Sequence, residues 1–198
     1  MQEILSIFTE LAVIVMSYLL GCVCFAYYMS SIVHKKDIRT IGSGNPGSSN
    51  IGRQFGVLWF IPVLLLDALK GFLVVIFLNY FDFDTWVKLI SMLAVIIGHI
   101  WPFQLSFNGG KGLATVMGVA LGFNYFIVLG CAIIAGVFYM LISKSNAGLL
   151  VSVFFGPIFV WILGYSYEEI IVFMIIAAVV IFAHRNNILS FLNSGIKK

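Results

Sequence analysis

Long apolar runs fill most of this 198-residue chain, and only short polar or glycine-rich segments separate them. The runs cover residues 11–32, 55–80, 86–100, 113–142, 147–165 and 167–183. A helix that crosses a bilayer needs about 20 apolar residues. Because 62% of the residues are hydrophobic and only 10% are charged, we predict an all-α polytopic membrane protein. The short breaks leave little room for a soluble domain, so we expect residues 1–198 to form a single integral membrane domain.

The fourth run is too long for one span. Thirty helical residues would extend about 45 Å, whereas the hydrocarbon core is about 30 Å thick. Glycine and asparagine weaken a helix, so Gly118, Gly122 and Asn124 mark the expected turn between two helices. Counting this run twice gives seven transmembrane helices. The first run follows Glu3 and Glu10 and lacks a cleavage pattern, so we interpret it as a retained span and not as a signal peptide.

The distribution of charge supports seven spans, because cytoplasmic loops are enriched in lysine and arginine. With the amino terminus outside and the carboxyl terminus in the cytoplasm, the predicted cytoplasmic side holds His34, Lys35, Lys36, Arg39, Arg53, Lys111, Lys144, Arg185, Lys197 and Lys198. The outer side then holds Glu3, Glu10, Asp82, Asp84, Glu168 and Glu169. Lys88 alone falls on the unfavourable side. A six-span arrangement would instead place Lys144 and His184 on the face opposite Lys111.

Three segments at the ends of apolar runs are rich in glycine or cations, which is typical of an anion site. The first, residues 42–53, contains Gly42, Ser43, Gly44, Asn45, Asn50 and Arg53. Glycines let backbone N–H groups approach a phosphate, and arginine donates two hydrogen bonds to paired oxygens. Taken alone, the segment is equally consistent with a flexible linker.

The second segment joins His99 and Pro102 to a Gly109-Gly110-Lys111-Gly112 turn ahead of Ala114 and Thr115. Such a turn supplies unpaired N–H groups, the positive end of a helix dipole and an ammonium to one anion. The nucleotide-binding P-loop pattern is absent, so ATP is not predicted. The alternative is a hinge between two spans.

The third segment, His184-Arg185-Asn186-Asn187, ends the last run, where a basic anchor at the membrane surface is equally plausible. Asp67 and Lys70 lie three residues apart in the second run, and we interpret them as a structural pair that neutralises itself. The cations are scattered over the loops, so topology explains them better than nucleic acid does. Cys22, Cys24 and Cys131 lie in apolar runs without metal-ligand spacing, so no disulfide, metal or cofactor is predicted.

Together these motifs resemble the PlsY family, the bacterial acyl-phosphate-dependent glycerol-3-phosphate acyltransferases. The first family motif is similar to the segment around Gly42-Ser43-Gly44-Asn45, Gly47, Asn50 and Arg53. The second is similar to His99, Pro102 and the turn at 109–112 with Ala114-Thr115, and the third to His184, Asn187 and Ile188. Residues 66–71 also match a family stretch, so the resemblance covers nearly the whole chain.

The resemblance implies an enzyme of phospholipid synthesis in the bacterial inner or plasma membrane, with its active site facing the cytoplasm. It would move a fatty acyl group from acyl phosphate to the 1-hydroxyl of sn-glycerol 3-phosphate, giving lysophosphatidic acid and phosphate, with membrane lipid around the acyl chain and no metal or acyl-CoA. The residues that it assigns to catalysis are Ser43, Arg53, Lys111, His184 and Asn187. Those that it assigns to substrate binding are Gly42, Gly44, Asn45, Asn50, His99, Gly109, Gly110, Gly112 and Thr115. A substrate phosphate, His184 or His99 would serve as general base.

The chain departs from the family pattern where it has Asn108 in place of lysine and Ala183 and Ser190 in place of arginine. It also aligns poorly around Ser145. Each lost cation weakens the positive field of a site that must bring two anions together. The sequence therefore leaves two alternatives open: a divergent non-catalytic paralogue, such as a lipid-binding regulator, and a small anion transporter.

Overall fold

The computed structural model describes residues 2–141 and 147–195, and the secondary structure within these ranges is entirely helical. The α-helices are α1 (Gln2–Gly21), α2 (Phe25–Val33), α3 (Ser48–Phe55), α4 (Val57–Tyr80), α5 (Thr85–Ile100), α6 (Leu113–Phe123), α7 (Tyr125–Leu141), α8 (Ala147–Ile162), α9 (Tyr167–Ala183) and α10 (Arg185–Gly195). Single 3₁₀ turns cover Ile38–Thr40 and Phe103–Leu105. The predicted all-helical class is confirmed.

Three helical segments are long and apolar enough to cross a membrane by themselves: Gln2–Gly21, Val57–Tyr80 and Thr85–Leu105, the last including the 3₁₀ turn after α5. Leu113–Phe123, Tyr125–Leu141 and Gly148–Ile162 are apolar but shorter. The 11 residues of α6 rise about 16 Å, roughly half the hydrocarbon thickness. The chain is a multi-pass membrane protein, and seven spans remain a prediction.

The first apolar run differs from the single span that it predicts. Helix α1 begins at Gln2 and ends at Gly21, and α2 follows only at Phe25. At this break, carbonyl groups lose their helical hydrogen-bond partners, and side chains from elsewhere in the chain donate to them instead. The Lys70 ammonium donates to the carbonyls of Gly21 (3.0 Å) and Val23 (2.7 Å). A buried helix break is stable only when such groups find partners, and Lys70 supplies them.

The fourth run divides as predicted, but only one of the three expected residues makes the turn. Asn124 has extended backbone angles and ends α6, so α7 begins at Tyr125. The interpretation of Gly118 and Gly122 as turn residues is wrong, because both lie inside α6. They let α6 approach α4 closely: a Cβ on Gly118 would overlap the Ala68 carbonyl oxygen, and one on Gly122 would lie 2.9 Å from the Val75 Cβ.

The chain forms two compact units, Met1–Tyr125 and Phe126–Lys198. In the first, α4 packs against α3, α5 and α6, while α1 packs against α5. A small apolar cluster of Ala26, Ile38, Ile51 and Val63 anchors the first glycine-rich segment to α2 and α4. In the second unit α8 packs against α9. Whether residues 1–198 act as one domain stays a prediction.

Candidate active site

The first glycine-rich segment folds as a tight loop that leads into α3. Gly42 and Gly44 have φ values of +60° and +69°, a region that glycine enters without a steric penalty. Asn45 closes the next turn, since its carbonyl accepts a hydrogen bond from the Gly47 N–H at 2.9 Å. Gly42 is exposed, so the loop presents its backbone at the protein surface.

Asn50 supports this loop from within the protein. Its side chain is fully buried, and Oδ1 accepts a hydrogen bond from the Ser43 N–H at 3.1 Å. Its Nδ2 donates to the carbonyls of Ile38 (3.1 Å) and Ile41 (3.0 Å). These bonds fix the backbone beside Ser43, so Asn50 shapes the segment that presents the hydroxyl.

Ser43 and Arg53 lie together on the exposed side of the segment. Arg53 occupies the last turn of α3, and its Nη2 donates to the Ser43 Oγ at 3.5 Å. Both residues are exposed. A guanidinium beside a hydroxyl is a suitable pair of donors for phosphate oxygens.

A second arginine, Arg39, joins the first segment to the chain that precedes the glycine turn. Its guanidinium donates to both carboxylate oxygens of Asp37, at 2.7 Å for the shortest bond, and this contact holds the pKa of Asp37 below its usual range. Its Nη1 also donates to the Leu105 carbonyl at 3.1 Å. Sequence analysis assigned Arg39 only to topology, because the contact with Leu105 crosses 66 residues. The Asp37-x-Arg39 spacing was the one local feature of the sequence that could have indicated an ion pair at Arg39.

The second segment forms a turn whose backbone is tied to the end of α5. The Gly109 N–H donates to the Ile100 carbonyl (3.1 Å), and the Gly110 N–H donates to the His99 carbonyl (3.0 Å). Gly112 has φ of +87° and caps α6. A Cβ on Gly109 or Gly110 would overlap α5 atoms, so this close approach requires glycine. The turn therefore leads into the amino-terminal end of α6, where backbone N–H groups favour the binding of an anion.

Lys111 lies within this turn and is half-buried. Partial burial lowers the pKa of its ammonium, and the positive charge of Arg53 lowers it further. That influence places the Lys111 and Arg53 charges close enough to repel each other. The first and second segments thus converge, and a pair of mutually repelling cations favours an anionic ligand.

His99 and Thr115, on either side of the turn in the sequence, are both buried. His99 is 3% exposed, and its ring packs directly against Gly110. Thr115 is fully buried in the first helical turns of α6, and its Oγ1 has no hydrogen-bond partner among the described residues. The His99 ring supports the turn from the protein interior.

The third segment belongs to the second unit. His184 ends α9 and is 5% exposed, and its Nδ1 lies 2.8 Å from the Val180 carbonyl. A carbonyl only accepts, so Nδ1 carries a proton, and in the neutral ring Nε2 holds the lone pair. Asn187 is exposed in the first turn of α10, where its N–H donates to the His184 carbonyl at 2.9 Å. The sequence indicated a basic anchor at the end of the last run. In the structure, the chain continues there as helix α10, Arg185–Gly195.

The positions that depart from the family pattern differ in their surroundings. Asn108 is exposed, and its Nδ2 donates to the Ser106 carbonyl at 3.0 Å. Ala183 lies at the end of α9, and the exposed Ser190 donates to the Asn187 carbonyl at 2.8 Å. Ser145 and Lys144 lie outside the described residues.

Comparison with known proteins agrees with this architecture. Residues 11–194 match the family model described as "Glycerol-3-phosphate acyltransferase". Glycerol-3-phosphate acyltransferase 1 of Bacillus cereus is 37% identical over 172 residues, which cover 87% of this chain and 94% of that protein. The glycerol-3-phosphate acyltransferase of Thermoanaerobacter pseudethanolicus is 36% identical over 180 residues, which cover 88% of this chain and 87% of that protein.

Two crystal structures of PlsY, an integral membrane glycerol 3-phosphate acyltransferase, share the fold. They are a glycerol 3-phosphate form, with a TM-score of 0.87, and a lysophosphatidic acid form, with a TM-score of 0.82. Each is 29% identical and covers 94% of this chain and 93% of the PlsY chain. Sequence family, near-complete coverage and fold agree, and the chain belongs to the PlsY family of integral membrane glycerol-3-phosphate acyltransferases.

Proposed function

We propose that this protein transfers a fatty acyl group from acyl phosphate to the 1-hydroxyl of glycerol 3-phosphate, releasing lysophosphatidic acid and phosphate. The observation that carries the proposal is the approach of Arg53 to Lys111 beside the turn at 109–112. Two cations, a hydroxyl and glycine N–H groups suit a reaction in which two phosphates must approach each other. The two PlsY structures in glycerol 3-phosphate and lysophosphatidic acid forms support the same acceptor and product.

In this proposal the phosphate of glycerol 3-phosphate binds beside Ser43, Arg53 and Lys111. Arg53 and Ser43 donate to it, with Lys111 supplying a second positive charge. His184 and Asn187 are further proposed catalytic residues, on the resemblance to the family motif alone. Asn50, which is buried, acts by holding the backbone at Ser43.

The acyl phosphate occupies the glycine turn. Gly109, Gly110 and Gly112 let the backbone approach the phosphate, and the α6 dipole stabilises its charge. The acyl chain lies along the lipid-facing helices, since burying each CH₂ is worth about 0.8 kcal/mol.

The chemistry needs no protein nucleophile, because acyl phosphate is an activated mixed anhydride. The 1-hydroxyl oxygen attacks the acyl carbonyl carbon, the bond from that carbon to the phosphate oxygen breaks, and phosphate leaves. The hydroxyl proton passes to a substrate phosphate, with His184 as the alternative base that the family resemblance implies. Lys111 and the glycine N–H groups stabilise the developing negative charge.

The enzyme lies in the bacterial plasma membrane with seven spans, its amino terminus outside and its active site in the cytoplasm. The distribution of lysine and arginine over the predicted loops supports this orientation. The short α6 then spans only part of the bilayer and presents its glycine turn to the cytoplasmic side.

Purified protein incubated with radiolabelled glycerol 3-phosphate and either palmitoyl phosphate or palmitoyl-CoA tests the reaction. We expect lysophosphatidic acid from palmitoyl phosphate alone. Product from palmitoyl-CoA alone would reassign the donor. Absence of product from both would identify a non-catalytic paralogue, and phosphate entry into protein-bearing liposomes would then identify a transporter.

A further inference from the structure

The first unit contains a buried charged cluster that the proposed chemistry does not use. The Lys70 Nζ lies 2.9 Å from the Asp67 Oδ1 and 2.8 Å from the His99 Nδ1. The three side chains are between 1% and 4% exposed. Lys70 stabilises the break between α1 and α2, but that role does not require His99, so the contact between Lys70 and His99 needs a further explanation.

The hydrogens of Lys70 determine the protonation of His99. An ammonium has three hydrogens and accepts none. Two go to the carbonyls of Gly21 and Val23, so the third goes to His99 Nδ1. The Asp67 Oδ1 correspondingly has no hydrogen-bond partner among the described residues and pairs with Lys70 by charge. His99 is therefore neutral, with its proton on Nε2.

That Nε2 edge of the ring faces the glycine turn. A Cβ added to Gly110 would overlap Nε2 and lie 2.7 Å from Cε1, so the ring is in close contact with the Gly110 backbone. The His99 carbonyl also accepts the Gly110 N–H at 3.0 Å. One residue thus holds Gly110 through both its ring and its backbone, and Lys70 fixes the orientation of that ring.

We propose that Lys70 is a positioning residue for the acyl-phosphate turn, which it supports through His99. The inference rests on the proposed donor site at residues 109–112. It also separates the two histidines by role: His99 has its Nδ1 occupied and its Nε2 protonated, so it does not act as the general base. Asp67 holds the ammonium charge in place and contacts neither substrate.

Lys70→Met, an unbranched and uncharged side chain one atom shorter than lysine, tests the proposal by kinetics. We expect the KM for palmitoyl phosphate to rise about tenfold or more, while the KM for glycerol 3-phosphate stays within about twofold. The matched control is Lys88→Met, since Lys88 is also paired with an aspartate, Asp82, but at the protein surface (3.4 Å). The control should leave both KM values unchanged. Equal rises in both KM values for Lys70→Met would overturn the proposal.

A second variant decides the matter if loss of the buried ammonium prevents folding. In His99→Asn, the amide oxygen takes the place of Nδ1 and still accepts from Lys70, whereas the ring edge against Gly110 is deleted. We expect a Tm close to wild type together with amide hydrogen exchange at Gly109 and Gly110 that is about tenfold faster. This readout needs no acyl transfer, so it remains informative if the protein produces no lysophosphatidic acid. Unchanged exchange at both glycines would contradict the positioning role.

Discussion

At the residue scale, the site is a small set of donors whose charges influence one another. Arg53 and Lys111 come from segments about 60 residues apart, yet the charge of one lowers the pKa of the other. The sequence identified both residues, because their glycine-rich surroundings are local. It could not show that Asn50 and His99 face the protein interior, since burial depends on how distant helices pack.

The first prediction concerns the ionisation of Lys111. Burial and then the Arg53 charge lower the pKa of its ammonium, so the neutral amine forms at lower pH than in an ordinary lysine. In Arg53→Gln, one of these causes is gone and the pKa rises. Labelling with an amine-specific acylating reagent across a pH series should place the reactivity midpoint of wild-type Lys111 below the usual range for a lysine side chain. It should move upward in the variant, and an unmoved midpoint would contradict the Arg53 coupling.

A conservative change at Arg53 tests the geometry of phosphate binding. Arg53→Lys keeps the charge but loses the planar pair of donors, which a single ammonium does not reproduce. We expect the KM for glycerol 3-phosphate to rise about tenfold, equivalent to about 1.4 kcal/mol, with a smaller change for the acyl donor. Steady-state kinetics with each substrate varied in turn measure the effect. An unaltered KM for glycerol 3-phosphate would remove Arg53 from the acceptor site.

At the element scale, close helix contacts hold the glycine turn in place. Helix α6 lies against α4 where Gly118 and Gly71 remove the side chains that would separate them. The sequence predicted the division of this run, because thirty apolar residues exceed one span. It gave the wrong role to Gly118 and Gly122, since a glycine that permits close packing and one that makes a turn look alike without tertiary context.

Gly118→Ala tests the α4–α6 contact. The new methyl group would overlap the Ala68 carbonyl oxygen, and backbone atoms of a packed helix do not move freely. Overpacking of this kind costs about 1–3 kcal/mol, so we expect a lower Tm in detergent. Gly136→Ala is the control: it lies in α7 with no atom within 4 Å of the added Cβ, and it should leave the Tm equal or slightly raised. Equal melting of both variants would refute the close contact.

The break between α1 and α2 shows the limit of local patterns. Residues 11–32 read as one apolar run, and no proline interrupts them. The helix nevertheless stops at Gly21, and Lys70, 49 residues away, stabilises the break by donating to the carbonyl of that residue. The sequence predicted the pairing of Asp67 with Lys70, and in the structure the two charged groups lie 2.9 Å apart. It gave no sign that the same ammonium stabilises a helix break.

At the scale of the whole molecule, topology is the largest remaining prediction. The seven-span arrangement places the loop before α9 outside and the glycine turn in the cytoplasm. A membrane-impermeant thiol reagent should therefore label Tyr167→Cys in intact cells and Asn108→Cys only after permeabilisation. Both native positions are exposed in the structure. Labelling of both variants from the same side would favour the six-span arrangement.

The central claim is that acyl transfer occurs where Arg53 and Lys111 meet the glycine turn. The most direct measurement is the rate of lysophosphatidic acid formation from palmitoyl phosphate and glycerol 3-phosphate by Lys111→Ala, beside Lys88→Ala as the matched loss of one lysine. The account predicts that Lys111→Ala loses at least about a hundredfold in rate, consistent with removal of one charge-stabilising donor, while its Tm is retained. It also predicts that Lys88→Ala retains the wild-type rate. A folded Lys111→Ala protein that turns over like the wild type would contradict the account.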